Sequence, residues 1–384
     1  MGLLGRTATR QPTPAEKCVR LAIPVITHNF CSEFKLFAFA ALFAALTSTA
    51  ATEVVNASEE LPRLRADLAQ TSVSGLSSGA YMATQFQIAH SSIVIGAGIV
   101  AGGPYGCAES AASRLAPFWF TAVGYNLTQA LQGCMQNRLS AWGIPDAKAL
   151  AIRAETFSDG GRIDPLGDIK SDRVYLYSGT ADDVILPAIM DKAREFYRLA
   201  GVPDGQVEYV RDGKAGHAIV TMTEGTACGV TKAPFLTDCD YDQAGAILKH
   251  VYGNLTPPGN ASGVFTEFTQ KPYSKGLSRH GLADNGYAYI PVGCRNAAGC
   301  RVHVAFHGCS QGYEFVGDAH VKGAGFHRWA DANRLIVLYP QVQSDPLTNP
   351  KGCWDWWGYT QLDYLTQKAP QIIAVRRMLA VLAE

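Results

Sequence analysis

Three short stretches carry residue types that together make an acyl-transfer catalyst. Gly75-Leu76-Ser77-Ser78-Gly79 fits G-x-S-x-G, the pattern of a sharp strand-to-helix turn that exposes a serine hydroxyl and uses small neighbours to let the backbone pass. β-branched residues precede it and a helix-like run, "AYMATQ", follows it. A plain Gly/Ser turn would have the same composition, so the pattern gains meaning only with partners. A serine hydroxyl is a poor nucleophile at neutral pH and needs a base, which in turn needs an orienting carboxylate. Asp182 and Asp183 stand in "LYSGTADDVI", where an apolar strand ends in a turn. Of the two, Asp182 is the favoured carboxylate. His217, in the Gly-rich "DGKAGHAIVT" after the strand-like "GQVEYV", is the next histidine and the candidate base. His90 is earlier than either carboxylate and lies at the far end of the helix after Ser77. Ser77, Asp182 and His217 therefore run in the order serine, acid, histidine.

The elements that must hold these groups read as an α/β sheet. Short apolar runs bounded by turn signals, as buried parallel strands require, include "SSIVIGAGIVAGG", "RVYLYSGTADD", "GQVEYVRDG", "GYAYIPVGC", "RVHVAFHGCSQG" and "NRLIVLYPQ". Helix-like stretches such as Pro187 to Ala200 and Ala324 to Asn333 lie between them. The Pro-, Gly- and Asn-rich stretch Val251 to Tyr273 reads as a surface connection inside one domain and not as a tether. One oxyanion donor would be the backbone N–H after the nucleophile, that of Ser78. The loop that normally supplies the second follows an earlier strand, yet nothing upstream of Ser77 resembles it. "RVHVAFHG" supplies such a strand and a His307-Gly308-Cys309 turn far downstream. The expected fold is thus a circularly permuted α/β-hydrolase with a mostly parallel sheet flanked by helices, which is physically cheap when chain ends meet at the surface.

Composition bounds the rest. The 384 residues are 47% hydrophobic and 17% charged with formal net charge zero, so no electrostatic footprint for nucleic acid is present and a neutral or apolar partner is expected. An apolar run from Phe37 to Ala51 behind Lys35 reads as a secretory signal, preceded by an unusually long N-terminal extension. Residues 1–51 are accordingly assigned as leader and 52–384 as a single catalytic domain, secreted or periplasmic, without stable membrane insertion after signal removal, and monomeric. Cys18 and Cys31 fall in the leader. The remaining eight suit an oxidising compartment, and sequence neighbours pair as Cys107 with Cys134, Cys228 with Cys239, Cys294 with Cys300, and Cys309 with Cys353. With no C-x-x-C pair, zinc is disfavoured, and no metal or organic cofactor is expected.

Taken in order, "SGLSSGAYMATQ", "SGTADD", the Gly-His after a strand, "HVAFHGCSQG", "ADANRLIVLYPQ" and "GCWDWWGY" resemble the single-domain, permuted extracellular poly(3-hydroxybutyrate) depolymerases, from about Asp67 to the C-terminus. The resemblance implies Ser77 as nucleophile, Asp182 as carboxylate, His217 as base, the N–H groups of Ser78 and Cys309 as oxyanion donors, and a Cys309–Cys353 disulfide pinning the oxyanion loop. It also implies a substrate-binding role for the tryptophan cluster Trp354, Trp356 and Trp357, with Trp354 first, although core packing is the usual fate of a tryptophan. The substrate would be a polyester or its oligomers. Nothing here resembles the separate polymer-binding domain that many relatives append. A secreted esterase on soluble feruloyl or short acyl esters is the nearest alternative, and a non-catalytic granule-binding protein the alternative of another class.

Overall fold

The computed structural model describes residues 59–136, 143–259 and 261–384. The expected leader, with Cys18 and Cys31, lies outside them. Among the described residues, the alternation of apolar strands and helices produces eleven strands: β1 (Thr71–Leu76), β2 (Val94–Val100), β3 (Arg173–Gly179), β4 (Val207–Gly213), β5 (Ile219–Thr221), β6 (Thr226–Ala227), β7 (Leu236–Asp238), β8 (Val264–Thr269), β9 (Asn285–Ile290), β10 (Arg301–Phe306) and β11 (Leu335–Tyr339). Five longer helices lie between them: α1 (Ser78–Ala89), α2 (Trp119–Gly133), α3 (Ala147–Asp159), α4 (Pro187–Leu199) and α5 (Gln243–Tyr252). A helix at Pro370–Ala383 closes the chain.

The main sheet runs β4-β3-β2-β1-β10-β11-β9-β8. Every pairing from β4 across to β11 is parallel, and β9 pairs antiparallel with both β11 and β8. Counted from β8 onward and round through the chain ends, the strand order is first, second, fourth, third, fifth to eighth, the α/β-hydrolase order. The chain begins the sheet in its middle. The ends that such a permutation must join are adjacent, since the N–H groups of Leu64 and Ala66 donate to the Leu382 carbonyl at 3.2 and 2.9 Å. Residues Asn56–Glu384 group as one compact unit.

One segment differs from the sequence reading. The stretch Val251 to Tyr273 is not loop throughout: it contains the edge strand β8, whose Val264 and Glu267 are exposed while Phe268 is buried. Half of an edge strand faces water, so its apolar signal is weak beside the surrounding Pro, Gly and Asn. The central strands are different. β1 and β11 are buried at every position, and α1 is buried on all sides, so the helix after Ser77 runs through the core. All four disulfides join the expected cysteines, Cys107–Cys134, Cys228–Cys239, Cys294–Cys300 and Cys309–Cys353. Among the described residues, no helix is long and apolar enough to cross a membrane.

Candidate active site

Parallel strands bring the loops at their C-terminal ends to one edge of the sheet, which is where such sheets build sites. Ser77 follows β1, Asp182 follows β3, His217 follows β4 and Cys309 follows β10. Because β1 lies between β2 and β10, the serine sits at mid-sheet with loops converging from both sides.

Ser77 has φ 58° and ψ −120°, a backbone region that a non-glycine residue occupies only when its surroundings impose it. The surroundings are visible in the two motif glycines. A Cβ on Gly75 would lie 2.3 Å from the carbonyl of Gly79, and one on Gly79 would lie 2.4 Å from the carbonyl oxygen of Phe306 in β10. Glycine at both positions therefore lets α1 start against the strand it has just left. The Ser77 N–H donates to Val100 at 3.0 Å, tying the turn to the end of β2. Ser78 opens α1, so its N–H belongs to the first turn, which has no intrahelical acceptor.

His217 and Asp182 are brought together. Nδ1 of His217 lies 2.9 Å from Oδ2 of Asp182, with side chains only 7% and 1% exposed. The other carboxylate oxygen accepts from the N–H groups of Val184 and Ile185 at 2.8 and 2.9 Å. Both oxygens are thus committed, which fixes the carboxylate plane. With Nδ1–H donating to Asp182, the imidazole presents an unprotonated Nε2. Asp183 is exposed, and its backbone carbonyl accepts from Gln136 at 3.2 Å. Between the two neighbouring acids, the histidine faces Asp182.

The His307-Gly308-Cys309 turn reaches the serine. A Cβ on Gly308 would lie 3.3 Å from the carbonyl oxygen of Leu76, the residue before Ser77. The Gly308 N–H donates to Gln311 Oε1 at 2.7 Å, the Ser310 N–H donates to the Lys351 carbonyl at 2.6 Å, and Cys309 is tied to Cys353. The Cys309 N–H between them has no acceptor among the described residues. His307 is buried, and its Nδ1 pairs with the Gly308 carbonyl at 2.8 Å. Burial lowers its pKa to about 4, so it stays neutral and shapes the turn.

The tryptophan cluster corrects an expectation. Trp354, placed first as a substrate-binding ring, is 0% exposed and packs edge-on against Phe306 at 4.9 Å. Its indole fills the space under the oxyanion turn and presents no wall to solvent. Trp356 and Trp357 are also buried but keep 6% exposure each, and Trp356 stacks on Tyr81, one helical turn after Ser77, at 4.1 Å. Asp355 organises this loop. Its carboxylate accepts from the N–H groups of Gly358, Tyr359 and Thr360 and from the Thr360 hydroxyl, while burial raises its pKa.

Three supporting residues escaped the sequence reading: Asp355, Gln311, and Thr231, whose hydroxyl accepts the His217 N–H at 2.9 Å. Gln311 and Asp355 stand inside motifs already quoted, and a question about which side chain holds each turn would have reached them. Thr231 carries no local signal. Among the described residues, no cluster of three or more His, Cys, Asp or Glu side chains is placed to hold a metal ion.

No protein-family model matches the chain. The poly(3-hydroxybutyrate) depolymerase of Delftia acidovorans is 40% identical over 330 residues, covering 84% of this chain and 62% of that protein. The polyhydroxybutyrate depolymerase of Talaromyces funiculosus is 32% identical over 321 residues, covering 79% of this chain and 86% of the relative. This chain thus spans under two thirds of the bacterial relative and most of the fungal one. Among solved structures, a PHB depolymerase from Penicillium funiculosum matches with TM-score 0.74 at 30% identity, covering 84% of this chain and 98% of the other. A PHB depolymerase with a serine-to-alanine substitution, complexed with an R3HB trimer, matches with the same TM-score at 29% identity.

Proposed function

Because this chain belongs to the poly(3-hydroxybutyrate) depolymerase family, we propose that it is a serine hydrolase cleaving the ester bonds of poly(3-hydroxybutyrate) or its oligomers. The observation that carries the reading is the buried Asp182–His217 pair at the sheet edge where the strained Ser77 turn also lies. His217 Nε2 takes the proton from Ser77 Oγ as the oxygen attacks the ester carbonyl of a 3-hydroxyalkanoate unit. The resulting oxyanion accepts hydrogen bonds from the N–H groups of Ser78 and Cys309, donors held in place before the charge develops. His217 then passes the proton to the departing alkoxide, leaving an acyl-enzyme on Ser77 and a hydroxyl-ended product. A water activated by the same nitrogen repeats the sequence and frees 3-hydroxybutyrate or a short oligomer.

Asp182 holds the imidazole in the tautomer that accepts from Ser77 and stabilises the imidazolium. Trp356, stacked on Tyr81, and Trp357 beside it keep the role of substrate-binding rings in this reading. The substrate is a neutral oligoester or polyester chain, and the enzyme acts as a monomeric catalytic domain without cofactor. Four disulfides support a secreted or periplasmic location.

The deciding experiment is clearing of an amorphous poly(3-hydroxybutyrate) suspension by the purified protein, with Ser77→Ala as control. Clearing by the wild type alone is expected. If neither protein clears it while the wild type hydrolyses a soluble butyrate ester, the polymer assignment is wrong, the serine mechanism stands, and the function moves to oligomers or small esters.

A further inference from the structure

The Gly308 carbonyl and the Cys309 N–H are the two ends of one trans peptide unit, so they point in opposite directions. Whatever fixes the carbonyl therefore aims the N–H. Two donors fix it: the Gln311 N–H at 3.2 Å, which closes a tight turn from Gly308 to Gln311, and Nδ1 of His307 at 2.8 Å. A carbonyl only accepts, so Nδ1 carries the ring hydrogen and Nε2 is left to accept the Val342 N–H at 3.3 Å. Gln311 takes hold a second time, because its Oε1 accepts the Gly308 N–H at 2.7 Å. One residue thus grips Gly308 at both its N–H and its carbonyl. Gln311 is 0% exposed, so no solvent replaces either bond.

The donor half of the same amide reaches a different element. Nε2 of Gln311 donates to the carbonyls of Pro234 and Phe235 at 3.2 and 3.0 Å. Phe235, at φ 58°, occupies a backbone region that a non-glycine residue adopts only when its surroundings impose it. Its carbonyl also accepts the N–H of Ile219 at 2.9 Å, two residues after His217. Earlier in this loop, Thr231 accepts the His217 N–H at 2.9 Å. The loop is closed by the Cys228–Cys239 disulfide and runs into β7, which pairs with β5 directly after His217.

The geometry of the main sheet makes this link necessary. The strands that deliver the base and the oxyanion turn, β4 and β10, have three others between them, which places them roughly 19 Å apart at the usual strand spacing. Loops spanning that gap must be tied to each other if donor and base are to keep one separation. Through Gln311, both rest on the disulfide-closed loop.

We propose that Gln311 is a positioning residue for the oxyanion hole, aiming the Cys309 N–H and locking it to the loop that holds His217, a role resting on the serine-hydrolase reading above. An oxyanion donor contributes in the transition state and not to ester binding. Loss of its aim therefore lowers kcat and leaves KM in place. A glutamine at this position must accept on one side and donate on the other. Glutamate has the same shape but donates only when protonated.

The test is hydrolysis of a soluble butyrate ester by wild type, Gln311→Met and Gln311→Glu, with kcat counted per active site by complete fluorophosphonate labelling. Gln311→Met should lose about tenfold or more in kcat, short of the 10²–10³ that removing an oxyanion donor costs, with KM within about twofold. For Gln311→Glu, the ratio of its kcat to that of the wild type should rise by about tenfold from about pH 9 to about pH 6, as the buried carboxyl takes up its proton and donates to the loop carbonyls. Titration of His217 is common to both proteins and divides out, and His307, held at a pKa of about 4 by burial, stays neutral over this range. If Gln311→Met does not fold, the ratio for Gln311→Glu decides alone. A Gln311→Met kcat within about twofold of wild type, or a Gln311→Glu ratio that is flat with pH, would overturn the proposal while wild-type esterase activity leaves the enzymatic reading intact. A wild type without esterase activity would overturn both.

Discussion

Replacing Asp182 by Asn isolates the contribution of one oxygen. In the native site Oδ1 accepts two backbone N–H groups and Oδ2 accepts from His217 Nδ1. An amide can keep only one of these arrangements. If its oxygen stays on the Val184 and Ile185 N–H groups, its NH₂ faces Nδ1, and the histidine must place its proton on Nε2, where it cannot accept from Ser77. If the amide flips, two buried backbone donors face an NH₂. The wrong tautomer costs about 10⁴ in kcat in serine proteases, about 5.5 kcal/mol of barrier. Asp183→Asn, altering an exposed side chain that makes no contact with the histidine, should leave kcat within about twofold. The assay is initial-rate hydrolysis of a soluble butyrate ester by both variants, with thermal melts to confirm folding. Equal losses, or a larger loss for Asp183→Asn, would refute the assignment.

Other consequences follow from the same contacts. Ser77→Ala should lose on the order of 10⁶ in turnover with the fold intact, and retained activity on the soluble ester would exclude Ser77 as nucleophile. Gly79→Ala would push a methyl to 2.4 Å from the Phe306 carbonyl oxygen and should destabilise by about 3 kcal/mol or more; an unchanged melting temperature would show that the helix start can shift. Opening the Cys309–Cys353 bridge, which closes a separation of 44 residues, should cost about 4 kcal/mol by loop entropy and lower kcat through the Cys309 N–H, checked by denaturation and ester assay of Cys353→Ser. Stability should fall on acidification. Burial holds the folded-state pKa of His303 and His320 at about 3 and that of His307 at about 4, so below pH 6.5 the unfolded chain binds more protons and stability is lost as pH falls toward 4. At pH 5 the loss is about 2 kcal/mol per histidine. Asp172, raised to about 7 by burial, works in the opposite sense and returns about 2 kcal/mol between pH 7 and 5. A urea-unfolding free energy that does not drop from pH 7 to 5 would contradict this balance.

What is local in the chain was legible without coordinates. The Ser77 turn depends on two glycines and a serine within five residues, the strands β2, β3, β4, β9, β10 and β11 on short apolar runs, and the four disulfides join cysteines that neighbour one another in sequence. Even the permutation was legible, because the strand with its His-Gly turn stands after the serine and not before it. Everything that depends on what packs against a side chain needed the tertiary structure. Asp182 and Asp183 are chemically identical neighbours, and only the path of the loop after β3 decides which one His217 meets. A tryptophan's ring looks the same in sequence whether it lines a groove or fills a core, and Phe306 and His307 take up Trp354. The face of α2 is the sharpest case. Phe120, Leu127 and Leu131 are spaced as a buried stripe is, yet they face solvent, while Asn126 is buried and accepts from the Ser110 N–H. Periodicity sorts residues onto faces, but which face is covered depends on the neighbours the fold brings to it.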